Sequence, residues 1–184
     1  MPWREEIPVR SAPALLVVAT LLGFPASAAV SPPAGLGRGM APPAGVEPAF
    51  ALAASGVQIY QCSALGGDGW GWTYVAPDVT LYEGTRSVAI HKVPDLWESL
   101  SDRSSVTAVP RVNQPAAAGN LPWQLLGAAP LNPTGIFAGV THMQRVNTQG
   151  GLPAPVGCGP GNVGAENRVA FRADYYFYKP PGAG

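Results

Sequence analysis

Trp70, Trp72 and Tyr74 alternate with Gly71, Thr73 and Val75. On a β-strand that spacing projects three rings from one face, each about 6.8 Å from the next. Such a row can stack sugar rings. It can equally form the bulk of a β core, because large rings dominate buried area and their polar tips find partners there. The residues alone leave both uses open, and Trp70, Trp72 and Tyr74 stand as the candidate ligand-binding set, with Tyr176 and Tyr178 as an extension of an exposed row. Carboxylates offer a second chemistry. Glycoside hydrolysis needs two carboxyl groups roughly 5 to 10 Å apart, one of them held protonated by its surroundings. Glu98 with Asp102, or Glu83 with Asp174, are the pairs to consider, although Asp174, between Arg172 and Tyr176, also suits an ion pair or a cross-strand hydrogen bond.

Other chemistries lack their residues. A two-histidine, one-carboxylate metal site would require His91 and His142 to converge with Asp95 or Glu98. The chain has no metal-ligand spacing that would bring them together, and no metal site is expected. The segment Gly159-Pro160-Gly161-Asn162-Val163-Gly164 matches the dinucleotide fingerprint in form. That fingerprint works only between a strand and a helix whose N-terminus holds the pyrophosphate. Here Pro160 and a final strand follow, so a turn is expected and no cofactor. There is no Gly-x-Ser-x-Gly elbow for a serine nucleophile. Neither Cys62 nor Cys158 has a histidine or lysine within several positions to activate a thiol.

The N-terminus addresses the compartment. Arg4 and Arg10 precede the apolar run 14–22, and Pro25 and the small residues Ala26-Ser27-Ala28-Ala29 follow it. This is the order of a secretory signal over residues 1–28, with cleavage after Ala28, although Glu5 and Glu6 cancel the two arginines. The run is well short of the ~20 residues a spanning helix needs, and no other segment of the chain is long and apolar enough to span. Export makes a Cys62–Cys158 disulfide the expectation, closing a loop of about a hundred residues worth roughly 4 to 5 kcal/mol in the chain-entropy model. Lys+Arg and Asp+Glu both number 11, so the formal net charge is zero. A neutral chain has no electrostatic footprint for nucleic acid or an anionic membrane surface, and neither is expected as a partner.

With 23 Gly and 21 Pro the chain is a poor candidate for long helices. Residues 29–48 are too rich in Pro and Gly to join a core and predict an extended spacer, and 179–184 predict a flexible tail. Between them, 49–178 hold short runs rich in β-branched and aromatic residues, separated by Gly, Pro, Asn and Asp. Strands are predicted over 57–62, 70–75, 79–82, 87–91, 105–109, 123–126, 136–146 and 169–178. The fold class is therefore all-β, a single antiparallel β-sandwich or barrel with long loops. In the last run Val169, Phe171, Ala173, Tyr175 and Phe177 share the core face. In the run before it Ile136, Ala138 and Val140 continue into His142 and Gln144, and a bulge at Gly139 would explain the fading alternation. One helical turn is expected around 95–101, and Trp97 and Trp123, near Pro94 and Pro122, read as corner anchors.

Several ordered segments resemble a known family. They are Gly56-Val57-Gln58-Ile59-Tyr60-Gln61-Cys62, Leu121-Pro122-Trp123-Gln124-Leu125-Leu126, Gly139-Val140-Thr141-His142-Met143-Gln144-Arg145-Val146-Asn147-Thr148-Gln149-Gly150-Gly151, Pro155-Val156-Gly157-Cys158 and Ala173-Asp174-Tyr175-Tyr176-Phe177-Tyr178. Over 56–178 the chain is similar to domain-of-unknown-function family 3455. The resemblance implies an exported, β-rich single domain with no assigned reaction. The family pattern His-x-x-Gly-Pro-x-Trp reads here His91-Lys92-Val93-Pro94-Asp95-Leu96-Trp97, and Asp-Gly-Ser reads Asp102-Arg103-Ser104, with His142 standing where the family has Tyr. The expectation is an exported, non-catalytic binding or structural component of the cell envelope or exterior, with a carbohydrate or other envelope component as partner. The alternative is an extracellular polysaccharide-active hydrolase using carboxylates around 95–102, with His91.

Overall fold

A computed structural model describes residues 1, 30, 31, 33–67 and 69–183. The expected export signal and its cleavage point, beyond Met1 itself, lie outside the described residues. Eight antiparallel strands follow one another round a closed barrel: β1 (Glu47–Gly66), β2 (Gly69–Glu83), β3 (Arg86–Val93), β4 (Leu96–Ser99), β5 (Ser105–Gln114), β6 (Trp123–Pro130), β7 (His142–Gly150) and β8 (Glu166–Lys179). Each strand pairs with the next, and β1 pairs with β8 to close the ring. Of the two architectures expected, the chain adopts the barrel.

Alternation fills the interior. Leu52 and Ala54 of β1, Val79 and Leu81 of β2, Val106 and Ala108 of β5, and Phe171, Ala173, Tyr175 and Phe177 of β8 all face one buried cluster. The last strand thus presents the core face its sequence indicates. The ladder needs glycine where backbones crowd, as at Gly56, where a Cβ would meet the Asp78 carbonyl oxygen, and at Gly150. A Cβ at Gly150, whose φ is +69°, would meet the Ala170 carbonyl oxygen, so both the left-handed conformation and the space exclude a side chain.

Four local expectations change. The runs 70–75 and 79–82 are halves of one strand, β2, with a register shift opposite Ile59 and Tyr60 absorbing the extra residue. Pro77 is tolerated because β3 pairs with β2 only from Val79 onward, leaving β1 as the one neighbour there. Residues 96–99, expected as a helical turn, are the four-residue strand β4, entered and left through Asp95 and Arg103 at positive φ. The run 136–146 is not one strand, since β7 begins at His142 and the preceding residues form a loop that folds into the barrel. Counting from Ile136 therefore gives the wrong parity: Met143 faces the core and Arg145 the same side, whereas His142 and Gln144 face outward.

That loop closes one end. Phe137 and Val140 are fully buried, and Phe137 packs against Phe177 and Phe50 with ring centroids 5.4 and 6.1 Å apart, while Phe50 stacks on Phe177 at 4.4 Å. Asp102 fixes the loop by accepting hydrogen bonds from the Ile136 N–H at 2.8 Å and the Ser104 N–H at 2.9 Å. The segment expected as a spacer also differs where it is described. It lies against the outside of β5, β6 and β7, where Gln114 bonds to the Gly37 N–H and the Gly35 carbonyl. Met40 is fully buried and its carbonyl accepts from the buried Gln144 at 2.5 Å. Leu125, Val146 and Tyr178 are likewise buried outside the main core cluster.

At the other end β1 and β2 run on as a hairpin. Cys62, on its inner face, forms the expected disulfide with Cys158, their Cα atoms 5.3 Å apart and 96 positions apart in the chain. The bridge ties the hairpin to the loop before β8, as do the Cys62 N–H to Ala165 carbonyl bond at 2.9 Å and the Trp72 indole N–H to Val156 carbonyl bond at 3.0 Å. Because β1–β8 pairing closes the barrel without it, a Cys62→Ala, Cys158→Ala double variant is expected to keep its far-ultraviolet circular dichroism. It should lose about 2 to 5 kcal/mol of stability in urea unfolding; an unchanged midpoint would show that the bridge constrains nothing.

Candidate functional site

The end opposite the phenylalanine plug is open and holds a cavity of about 310 Å³. Strand register places its wall. On β1, Gln58 and Tyr60 continue the inward face of Ala54 and Gly56; on β2, Tyr74 stands across from Tyr60; on β3, His91 stands across from the core residue Val79. Trp97 of β4, Arg145 of β7 and Tyr175 of β8 complete the ring, with Leu121, Pro122 and Leu126 from β6 and its approach. The barrel interior thus changes from phenylalanine and aliphatic side chains at the closed end to aromatic and polar ones at the open end.

His91 and Trp97 form the centre of this layer. Their rings stack 4.0 Å apart and within 4° of parallel. His91 Nδ1 lies 2.8 Å from the Leu96 carbonyl, which can only accept, so the proton sits on Nδ1 and Nε2 is left as an acceptor. Burial pushes the imidazole pKa down to about 4; the Leu96 carbonyl opposes that shift and the nearby Arg145 charge adds to it. At neutral pH the ring is therefore uncharged. Trp97 is 2% exposed, meets Tyr175 edge-on at 5.8 Å, and its indole N–H has no acceptor among the described residues.

Arg145 is the cation of the cavity. It donates from one terminal nitrogen to the Pro122 carbonyl at 3.0 Å and approaches the Tyr175 hydroxyl, while its buried Nε has no acceptor among the described residues. A buried donor left unpaired costs about 1–3 kcal/mol, and Trp97 on β4 and Arg145 on β7 each carry one. Tyr60 is satisfied, donating to the Gly151 carbonyl at 2.7 Å, and burial pushes its phenol pKa up. Tyr74 meets Tyr60 edge-on at 5.6 Å and is 43% exposed at the entrance. Among the described residues Asp95 is the one carboxylate on the wall, and it is exposed at the rim.

The residues singled out by the sequence are dispersed relative to this cavity. Trp70, Trp72 and Tyr74 do share a face, paired with Ala64, Cys62 and Tyr60, but only Tyr74 lines the cavity. Trp70 and Trp72 are half-buried, and Trp72 leans on the loop carrying Val156 and Gly157. Glu98 and Asp102 do not come together in a cleft: Glu98 pairs with Arg103 at 2.6 Å on the outside of β4. Asp102 belongs to the closed end, where hydrogen bonds from Ser104 and then the Ile136 N–H hold its carboxyl well below the usual carboxylate range. Glu83 pairs with Arg86, and Asp174 accepts from Asn147 at 2.8 Å. His142 lies on the outer face near Arg111, apart from His91, and among the described residues no group of three His, Cys, Asp or Glu could hold a metal ion. Residues 159–164 make a 3-10 turn, Pro160–Asn162, ahead of β8.

Sequence reasoning missed Arg145, Tyr175, Tyr60 and Gln58, and read Trp97 as a corner anchor. A signal was present: the segments around Leu121, Arg145 and Tyr175 fall among the residues that match the family, whereas the segment around Gln58 lies outside them. His91 and Trp97 keep the family's spacing, while the departures Pro94 and Asp95 fall in the turn between them. Residues 83–179 match the family described as "Protein of unknown function (DUF3455)". No curated protein and no solved structure matches the chain.

The buried neutral imidazole has a stability signature. Unfolded, His91 titrates near 6.5; folded, near 4. Between those values the unfolded chain holds a proton the folded one lacks, so stability falls as pH drops through 6.5 toward 4, by roughly 3 kcal/mol in all. His142, also lowered by burial and then by Arg111, adds with the same sign. His91→Asn, which keeps a donor for Leu96, is expected to remove most of the fall in urea midpoint between pH 7 and pH 4.5. Equal falls in both proteins would mean that the ring is not held neutral.

Proposed function

Because this chain belongs to the DUF3455 family, which is defined without a function, we propose that it is an exported, non-catalytic binding domain that takes a small ligand into the open end of its barrel. The observation that carries this is the cavity itself. An eight-stranded barrel has just enough interior for its own side chains or for one small ligand. Here the closed end is filled by Phe50, Phe137 and Phe177, whereas the open end keeps a cavity of about 310 Å³ lined by rings. That volume stands at the lower end of small-molecule sites and suits one substituted ring. A carbohydrate partner from the envelope would enter as a free sugar or a chain end.

Several features support the non-catalytic reading over a polysaccharide hydrolase. Among the described residues the wall offers a single carboxylate, Asp95, at the rim, and an imidazole too weakly basic to take a proton at neutral pH. Glu98 and Asp102 are committed to Arg103 and to the turn before Ser104. Export is supported by the Cys62–Cys158 disulfide, which belongs in an oxidising compartment, together with the secretory pattern of residues 1–28. No helix among the described residues is long and apolar enough to cross a membrane. In this proposal 1–28 are removed, 49–178 form the domain and 179–184 the tail, with part of 29–48 strapped to the barrel.

Tyr74 gives the cleanest test, since it is exposed at the entrance and its removal leaves the core intact. Calorimetric titration with a panel of free monosaccharides and one-ring aromatic compounds should find a ligand whose affinity drops at least fivefold in Tyr74→Ala, with thermal midpoints within about 2 °C. Binding that Tyr74→Ala leaves unchanged would place the ligand outside the cavity and overturn the proposal.

A further inference from the structure

Resting on that reading, we infer that the ligand is a cyclic or aromatic monocarboxylic acid whose carboxylate is taken by Arg145. The charge pattern of the wall is the first ground. Three exposed arginines of the barrel stand in ion pairs: Arg86 with Glu83, Arg103 with Glu98 at 2.6 Å, and Arg168 with Asp78 at 2.7 Å and Glu166 at 3.1 Å; Arg111 and Arg172 stand in none but are exposed to water. Arg145, more enclosed than any of these, has no carboxylate within ion-pair distance among the described residues. Its neighbours around the cavity, Gln58, Gln124, Tyr60, Tyr175 and His91, are uncharged at neutral pH. A guanidinium withdrawn from water without a counter-charge is costly, and a bound anion would supply the missing partner.

Donor geometry is the second ground. The Pro122 carbonyl anchors one terminal nitrogen of Arg145, which fixes the fork while leaving Nε without an acceptor. For a guanidinium held in this way a carboxylate is the matching group, since it only accepts and shares the planar geometry of the fork.

The rest of the wall sets the remainder of the ligand. Tyr60, Tyr74, Pro110, Pro122 and Leu126 offer rings and aliphatic surface to a flat apolar body. Asp95 at the rim disfavours a second negative charge, which restricts the class to monoanions.

The test is calorimetric titration at pH 7 of the mature protein with benzoate and phenylacetate, each beside its uncharged amide of the same shape. The protein is expected to bind an acid at least tenfold more tightly than its amide. Arg145→Gln should erase that preference, and Arg145→Lys should retain part of it. Because Arg145 also bonds to Pro122, the preference of the unaltered protein stands as evidence even if a variant misfolds. Acid and amide binding equally well would overturn the anion inference and leave the cavity reading standing. An acid preference that survives Arg145→Gln in a folded protein would also overturn it, and binding of neither acid nor amide would overturn the inference together with the one-ring cavity on which it rests.

Discussion

Pairing of β1 with β8, from Glu47 opposite Lys179 to Gln61 opposite Glu166, turns a row of hairpins into a ring. An open sheet of these strands would expose two edges and one apolar face; closure removes both edges and defines a single interior. Once the ring is closed, alternation decides the destination of every side chain, because a residue that does not face out must fit within the cross-section of eight strands. Phenylalanines fill that cross-section at one end, with Phe137 and Val140 supplied by a loop rather than a strand. The open end follows from the same constraint. There the inward positions carry Gln58, His91, Gln124 and Arg145, side chains whose polar groups resist close packing and leave a cavity.

The polar layer is held by local geometry rather than by charge pairing. The short β3–β4 turn, with Asp95 at positive φ, brings the Leu96 carbonyl to His91 Nδ1 and lays the imidazole on Trp97. Tyr175 then packs edge-on against that indole and carries the contact round to Arg145. A stacked, neutral His91 provides a flat wall without a second positive charge beside Arg145, which the low pKa of the ring maintains at neutral pH. The disulfide and the Trp72 to Val156 bond hold the β1–β2 hairpin beside the entrance, so the aromatic face that begins at Tyr60 and Tyr74 is placed by a covalent tie outside the ring.

Much of this fold was legible. The pairing of the two cysteines was expected and is present, and the strict alternation of 169–177 gave the correct core face. Three features were not legible for physical reasons. Ala76, Pro77 and Asp78 read as a turn because a missing N–H is harmless only when one edge is unpaired, and that depends on where β3 stops. Leu96–Ser99 is too short for periodicity to separate strand from helix. Apolar residues 136–140 look the same in a strand as in a plug, and the mistaken start shifted the parity of β7 by one. That shift concealed the site, since Arg145 becomes an inward residue only when β7 begins at His142. The aromatic row was read correctly as one face, but its position relative to the barrel mouth depends on the β1–β2 register shift, which places Tyr74 alone at the cavity.

The account's central claim is that the ring of side chains around His91 and Trp97 is a ligand site and not merely the last layer of a core. Indole N–H resonances of ¹⁵N-labelled protein test it most directly, because Trp70, Trp72, Trp97 and Trp123 occupy distinct environments. On titration with phenylacetate and phenylacetamide the account predicts a saturable shift of the Trp97 resonance, with Trp123, outside the cavity, unmoved. A Trp97 signal that stays fixed with both compounds, or shifts confined to Trp70 and Trp72, would contradict it.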